Sequence, residues 1–403
     1  ATGKTAWRKT WVTTGVLLNL AGIAFFKYSP LIARSLFNTN ESIGRFLLTI
    51  PLPIGISFFT FEGISLLIDV YKENYFENKK LIPQSLSKHA QRTLFFISFF
   101  PHLVAGPILK AHDFYPQIGV KKISAVNWEL CFRKLVMGYF LKMVVADNLK
   151  DFTFWIAYPY FESQSSLTLI TMLFGYSFQI FADFAGYSLI AIGLAGLFGY
   201  HFNDNFNFPY ISTSFKEFWK RWHISLSSFL MEYLYFPLGG NRKGRVRTYI
   251  NLLITMILGG LWHGAAWSYA VWGGFHGTAL AIERMFTGKA KKTPAVWLLF
   301  VKGILVFCFI TLAWLLFKLP DFTHVIGYFK SISANTGMVS NYKLIVYVFL
   351  YSLPVVFYHF AYLLKNKYSG AFYKKSAYLV YALLLFLIIT NSGSSGSFIY
   401  FQF

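Results

Sequence analysis

Apolar residues in this chain fall in long runs separated by short polar stretches. The runs cover positions 11–28, 46–70, 94–109, 132–146, 167–200, 249–262, 267–282, 296–317, 344–364 and 378–390. A helix needs about 20 predominantly apolar residues to cross a hydrocarbon layer of about 30 Å, so several of these runs predict membrane-spanning helices. The run at 167–200 is too long for one span and predicts two pieces, broken about Asp183, Gly186 or Gly193. The run at 94–109 is interrupted by Pro101, His102, Gly106 and Pro107. It predicts a re-entrant or interfacial piece, which is tolerated at depth only where protein or water covers the freed backbone groups. No internal repeat is evident, which disfavours a transporter built from two related halves. The expectation is an all-α, polytopic membrane protein with tilted, broken and re-entrant helices, forming one domain over residues 1–403.

The segment 206–247 differs from the rest. It reads FNFPYISTSFKEFWKRWHISLSSFLMEYLYFPLGGNRKGRVR, with aromatics interleaved with basic and small polar residues. Trp219, Trp222, Tyr233 and Tyr235 suit the membrane interface. Ser212, Thr213 and Ser214 precede Glu217 in the manner of a capping box. The segment predicts an amphipathic helix at the cytoplasmic surface, followed by a turn at Gly239, Gly240 and Asn241 and a basic loop.

Composition narrows the class. Charged residues are 13%, hydrophobic residues 56% and aromatics 21%. Soluble domains carry about 25% charged residues, and disordered chains carry few aromatics, so both classes are excluded. There are 37 Lys plus Arg and 16 Asp plus Glu, a formal charge of +21. The basic residues cluster between apolar runs, at 72–92, 216–221, 242–247 and 284–292. Excess Lys and Arg mark cytoplasmic loops of membrane proteins, and no nucleic-acid motif accompanies them, so a lipid bilayer and not nucleic acid is the expected partner. Cys131 and Cys308 sit in apolar contexts and give neither a disulfide framework nor a metal motif. The start, ATGKTAWRKTW, lacks a cleavable signal peptide and an initiator Met.

Ionisable groups inside apolar runs are costly and mark functional sites by default. His263 lies in ILGGLWHGAAW between Gly259, Gly260 and Gly264. A neutral imidazole there can take a proton from a hydroxyl nucleophile. A core histidine bonded to a carbonyl is the structural alternative. His223, in FWKRWHISLS, is four residues after Trp219 and is predicted to share its helix face. Catalytic and interfacial roles are evenly weighed for it. His276 reads as structural, and His102 as lining a re-entrant entry. His89, His112, His201, His324 and His359 read as loop or span-end residues without a role. Asp183 needs a partner, either Gln179 on the preceding turn or a cation in space, and reads as a site support. Glu232 is expected to pair with Arg221 or Arg242. Arg221, Asn241 and Arg242 are candidates for binding an anionic donor, with an ordinary basic loop as the alternative. There is no HExxH arrangement, no Walker loop and no GxSxG elbow, so neither a metal site nor a serine triad is expected.

Two stretches, FKEFWKRWHISLSSFLMEYLYFPLGGNRKG and TYINLLITMILGGLWHGAAWSYAVWGGFHG, resemble the membrane-bound O-acyltransferases. The resemblance is strongest to the bacterial branch that O-acetylates polysaccharides, the alginate and peptidoglycan O-acetyltransferase membrane subunits. PLPIGISFFTFEGISLLIDVYK, FPHLVAGPI, FADFAGYSLIAIGLAGLFGY and the terminal FIYFQF extend it over nearly the whole chain. The family carries further apolar sequence before LLNLAGIAFFKY, so the natural chain is expected to begin upstream. The resemblance implies that His263 is the essential membrane-embedded histidine and His223 the second motif histidine. It also implies that Asp is usual where this chain has Glu232.

It further implies a bacterial inner-membrane enzyme with no bound cofactor. Its donor would be cytoplasmic acetyl-CoA, its acceptor an extracytoplasmic polysaccharide, and its partner a periplasmic, esterase-like transferase. A central funnel would lead the acyl end of the donor to His263. Lys216, Lys220, Arg221, Arg242, Lys243, Arg245 and Arg247 would attract the phosphates of coenzyme A. His263 would deprotonate the acceptor hydroxyl or carry the acyl group as an acyl-imidazole, and the sequence leaves both open. The alternative activity is transfer of D-alanine to teichoic acid from a carrier-protein thioester.

Overall fold

The computed structural model describes residues 5–72, 83, 85–103, 106–286, 295–365 and 371–396. The terminal FIYFQF, and the basic residues within 73–82 and 287–294, lie outside the described residues. The described residues are helical, with no strand among them. Among the described residues, four helices are long and apolar enough to cross a membrane: Trp7–Leu36, Ser166–Leu197, Val296–Lys318 and Tyr342–Leu364. The chain divides into two units, Ala1–Trp128 with Leu194–Asn203, and Glu129–Gly193 with Asp204–Phe403.

In the first unit, α1 (Thr5–Leu36) runs antiparallel to α3 (Ile56–Lys72). Their contacts step in opposite directions: Arg8 donates to the Tyr71 carbonyl at 3.3 Å, Gly15 faces Leu67, and Lys27 donates to Ser57 Oγ at 3.2 Å. The apolar run at 46–70 is two helices rather than one, α2 (Ser42–Thr49) and α3, because Pro51 and Pro53 separate them. The run at 94–109 is broken as expected, into α4 (Leu86–Ser98) and the single turn α5 (Phe100–Leu103), ahead of the short α6 (Ala111–Phe114). His102 does not line an open entry. It is fully buried, with Nε2 2.8 Å from Glu62 Oε1. Two helical turns along α3, Asp69 Oδ2 meets His112 Nδ1 at 2.9 Å. Carboxylates seven residues apart thus share one face of α3 and hold His102 and His112 against it.

The second unit is organised on α7 (Trp128–Tyr139), α8 (Asp147–Thr153) and α9 (Ser166–Leu197), with a π-helical segment, Phe140–Ala146, joining the first two. The predicted break in α9 does not occur; its 32 residues form one helix. At 1.5 Å per residue this is roughly 48 Å, longer than the hydrocarbon layer, so a tilted helix replaces two pieces. Asp183 does not break it because Lys142 Nζ lies 2.7 Å from Asp183 Oδ1 and 2.7 Å from Asp147 Oδ1. The cationic partner is the one that forms, while Gln179 is taken by Thr153.

The segment 206–247 is not one amphipathic helix. It forms α10 (Phe215–Arg221), α11 (Ile224–Leu230) and a π turn, Met231–Tyr235, with the chain broken at Trp222 and His223. α12 (Gly244–His263) and α13 (Trp267–Phe286) follow as a tight antiparallel hairpin. α14 (Val296–Lys318), α15 (Phe322–Ala334), α16 (Tyr342–Lys365) and α17 (Ala371–Thr390) complete the chain. His359 is not a span-end residue: it is buried inside α16, its Nδ1 2.8 Å from the Val355 carbonyl oxygen.

The hairpin depends on two glycines that face one another. A Cβ on Gly260 would lie 2.2 Å from the Tyr269 carbonyl oxygen, and one on Gly273 would lie 2.2 Å from that of Met256. Both partners are backbone and cannot step aside, so Gly273→Ala should part the helices at a cost of about 1–3 kcal/mol. Gly274→Ala is the control, since its Cβ would meet only Ile257 Cγ1 at 3.8 Å. Thermal unfolding in detergent should show a lowered midpoint for the first variant and an unchanged one for the second.

Candidate active site

α12 ends at His263 because Gly264 takes an extended conformation, with φ −163° and ψ 161°. The imidazole therefore sits at the carbonyl end of a 20-residue helix, where the unpaired carbonyls favour positive charge developing on the ring. Its walls are aromatic. Ring centroids of Trp262, Trp272 and Phe317 lie 5.1, 5.3 and 5.0 Å away, and the residue is 3% exposed. The expected funnel does not reach the ring as open surface, so a substrate must displace part of this wall.

His223 reaches the same place from the opposite side of the helix break. Its backbone is left-handed, with φ 42° and ψ 57°, a region in which non-glycine residues are uncommon and which concentrates at functional sites. The break means that His223 and Trp219 do not share a helix face, contrary to expectation. Instead Trp219 turns toward His276, with ring centroids 5.1 Å apart, and His223 toward His263, 6.3 Å ring to ring. Phe184 of α9 meets the His223 ring edge-on at 4.6 Å.

The sequence reading missed the residue that holds this turn, Asn205. Its main-chain carbonyl accepts from Ile224 N–H at 2.9 Å. Its side-chain oxygen accepts from Ser225 N–H at 3.1 Å and from the Ser225 hydroxyl at 2.9 Å, and lies 3.2 Å from His223 Nδ1. A backbone amide can only donate, so the atom facing it is the amide oxygen, and the His223 Nδ1 beside it carries the proton. That leaves Nε2 as the basic nitrogen of the second histidine. The Asn205 NH2 group donates to Ser188 Oγ of α9 at 3.2 Å. Its local signal was weak, one Asn among three in FNDNFN.

The other candidates divide. Asp183 supports the site indirectly: its pairing with Lys142 fixes α9 one residue before Phe184. Arg221 lies two residues before His223 but is committed to Glu217, with Nε–Oε1 at 3.0 Å, and donates to the Asn207 carbonyl at 3.0 Å. The expected Arg221–Glu232 pair is thus replaced by Arg221–Glu217, and Glu232 lies in the π turn. Asn241 and Arg242 are exposed in the turn before α12, with Arg284 NH1 3.3 Å from Asn241 Oδ1. They stand at the other end of α12 from His263, roughly 30 Å along its axis. His276 is buried in α13 beside Trp272, ring centroids 4.7 Å apart, one aromatic ring removed from His263.

The capping box expected at Ser214 forms. Ser214 Oγ accepts from Glu217 N–H at 3.1 Å, and the Glu217 carboxylate reaches back to Thr213 N–H at 2.9 Å. Burial raises the Glu217 carboxyl, but the hydrogen bonds from Thr213 and Arg221 outweigh it and hold the group below its ordinary range.

The family model described as MBOAT, membrane-bound O-acyltransferase family, matches residues 37–322. The chain belongs to this family. Among curated relatives, the probable alginate O-acetylase AlgI of Azotobacter vinelandii is 39% identical over 323 residues, covering 78% of this chain and 61% of that protein. The peptidoglycan O-acetyltransferase of Helicobacter pylori is 34% identical over 367 residues, 83% of this chain and 66% of its own. The teichoic acid D-alanyltransferase of Bacillus subtilis is 27% identical over 285 residues, 67% of this chain and 70% of its own. The chain spans 61% of the length of the first of these relatives. Within this membrane-bound O-acyltransferase chain, both motif histidines fall inside the matched region.

Asn205→Ala should take this acceptor from the half-buried Ser225 amide and from the buried His223 ring, a cost of about 1–3 kcal/mol. Ser188→Ala removes only the distal contact and should cost less; denaturant unfolding compares the two. Because the Glu217 carboxyl is depressed in the folded chain, its contribution is complete above the ordinary carboxylate range. It is lost as pH falls through that range and below. The acid limb of the unfolding midpoint should therefore be shallower for Glu217→Gln than for the natural residue.

Proposed function

We propose that this chain moves an acetyl group from cytoplasmic acetyl-CoA through the bacterial inner membrane, for O-acetylation of an extracytoplasmic polysaccharide such as alginate or peptidoglycan. The observation that carries this reading is the meeting of His223 and His263, 6.3 Å apart, in a buried aromatic shell. The names of the Azotobacter and Helicobacter relatives supply the reaction class. The element ends support the proposed direction. α10 starts beside Glu283, near the foot of α13, since Phe215 N–H bonds Glu283 Oε2, and it rises to the histidines. Lys216 N–H also faces Glu283, at 3.4 Å, and Arg284 NH1 lies 3.3 Å from Asn241 Oδ1, next to the basic run Arg242, Lys243, Arg245 and Arg247, so basic residues from three parts of the chain suit the phosphates of coenzyme A.

His263 then acts on the reacting carbonyl. As a general base, it takes the proton of the acceptor hydroxyl as that oxygen attacks the thioester carbon. The C–S bond breaks, and the thiolate leaves and collects the proton. As a nucleophile, its nitrogen attacks the thioester carbon, the C–S bond breaks and the thiolate leaves; the acceptor hydroxyl then attacks the acyl-imidazole carbon, the C–N bond breaks, and the hydroxyl proton ends on the departing thiolate. In either course the positive charge on the ring is favoured by the carbonyl end of α12. His223 presents Nε2 to orient the donor. A periplasmic, esterase-like partner would receive the acetyl group or finish its delivery.

The test is acyl transfer in membranes carrying the chain. His263→Ala should lower transfer by about 10²–10⁴-fold, the usual contribution of an acid–base group, with the protein still folded and inserted. Labelled acetyl-CoA should donate, and a D-alanyl carrier protein should not. Full transfer by an inserted His263→Ala variant would remove the assignment, and donation from the D-alanyl carrier alone would move the chain to the activity of its Bacillus relative.

A further inference from the structure

Trp219, Trp272 and His276 form a cluster of polar rings that the transfer steps above do not use. Ring centroids are 5.1 Å apart for Trp219 and His276, 4.7 Å for Trp272 and His276, and 5.7 Å for Trp219 and Trp272. His276 is 0% exposed and Trp272 1%. Phe218 lies parallel to the imidazole at 6.3 Å and closes the cluster. The indole nitrogens of Trp219 and Trp272 and both ring nitrogens of His276 are buried, and among the described residues none has a hydrogen-bond partner. Edge-to-face packing accounts for the burial of the rings. It does not account for four such nitrogens in one small volume, because a buried polar group without a partner is unfavourable and rare.

The nitrogens define what would satisfy them. Each indole offers one N–H and no acceptor, while a neutral imidazole offers one N–H and one lone pair. An alkyl chain meets none of these needs. A carboxylate or phosphate could take the N–H groups but brings no proton for the lone pair, and its charge would be desolvated among aromatic rings. A secondary amide meets both needs, since its carbonyl oxygen accepts from the N–H groups and its own N–H donates to the imidazole. A hydroxyl could also do both, and position decides between them. α10 and α13 are joined where Phe215 N–H bonds Glu283. Trp219 is one turn along α10 from Phe215 and His276 two turns along α13 from Glu283. Trp272 is one turn further, and its ring meets His263 at 5.3 Å. The cluster therefore occupies the interval between the basic foot and the imidazole, on the donor's side. A donor with its phosphates at the foot and its thioester at His263 must pass its middle through this interval. In coenzyme A that middle carries amides, the nearer one two methylenes from the sulfur.

From these orphaned nitrogens and their place we infer that Trp219, Trp272 and His276 bind the amide nearest the thioester sulfur and so set the specificity for the donor. The inference rests on the thioester-donor reading above and adds the residues that recognise the donor's arm. Trp219 is half-buried on the two-turn α10, and it is the ring that parts from the other two to admit the arm. Hydrogen bonds made to the amide then hold the thioester carbon against His263.

Acetyl transfer in membranes carrying the full chain decides it, with acetyl-CoA compared against an acetyl-CoA analogue in which methylenes replace that amide. The natural chain should favour acetyl-CoA in kcat/KM, mainly through a lower KM. His276→Phe keeps a ring and removes both nitrogens, and should narrow the gap between the two donors by roughly two- to tenfold, the usual contribution of one hydrogen bond. Trp219→Phe should narrow it likewise, and serves if His276→Phe fails to fold. A merely structural role would lower both donors together and leave their ratio intact. Equal kcat/KM for the two donors in the natural chain would overturn the inference and leave the donor reading standing, as would an unchanged gap in a folded variant. No transfer from acetyl-CoA by the natural chain would remove the donor reading, and this inference with it.

Discussion

At His223 a buried chain must turn left-handed without leaving main-chain donors stranded, and a single amide side chain makes this feasible. Asn205 offers its carbonyl to Ile224, its side-chain oxygen to Ser225 and to the ring of His223 itself, and its NH2 group to α9. A left-handed non-glycine residue costs of order 1–3 kcal/mol and persists only where the surroundings over-determine it. Here the over-determination also sets the chemistry. The acceptor that stabilises the turn chooses the tautomer, and the tautomer decides which nitrogen can face a substrate. Fold and candidate reactivity thus rest on the hydrogen bonds of one residue.

The same economy governs the ionised groups. In an apolar interior an unpaired charge is strongly unfavourable, and paired charges persist when their geometry is good. Lys142 lies between Asp147 and Asp183, Glu62 faces His102, and Asp69 faces His112. In each case the partner comes from a different element, so the pair fixes the register of one helix on another. Lys142 keeps α9 continuous past a carboxylate, and α9 then presents Phe184 to His223. A polar residue in an apolar run is therefore as much a registration device as a candidate catalyst, and contacts alone separate the two.

That distinction explains what the sequence made legible. The helical membrane class, the glycine-flanked His263, the helix cap at Ser214 and the need of Asp183 for some partner could all be read from local pattern, because each shows in residues near in sequence. Asn205, Lys142 and Trp272 could not. Asn205 and Lys142 act across separations of 18 and 41 residues, and Trp272 from the next helix, and nothing in FNDNFN or FLKMVV announces a partner. The continuity of α9 was misread for the same reason, since a run of 34 apolar and small residues looks divisible until the compensating charge is seen. The break at Trp222–His223 was missed because WKRWHISLS has good helical composition, and only Asn205 makes the alternative backbone favourable.

Length supplies the remaining constraint on chemistry. α12 carries Arg242 and Lys243 just before its first turn and His263 at its last residue, so the basic groups and the imidazole are held about 30 Å apart along the axis, close to the thickness of a hydrocarbon layer. Phosphates are strongly solvated and belong at the basic end, where desolvation is not demanded of them. An acyl group is small and weakly polar and loses little by entering the aromatic shell around His263. On the proposed reading, a helix that separates the two requirements would let one elongated thioester donor satisfy both at once. Proximity would then follow from binding at a distance: energy gained by the solvated end would orient the reacting end against the imidazole.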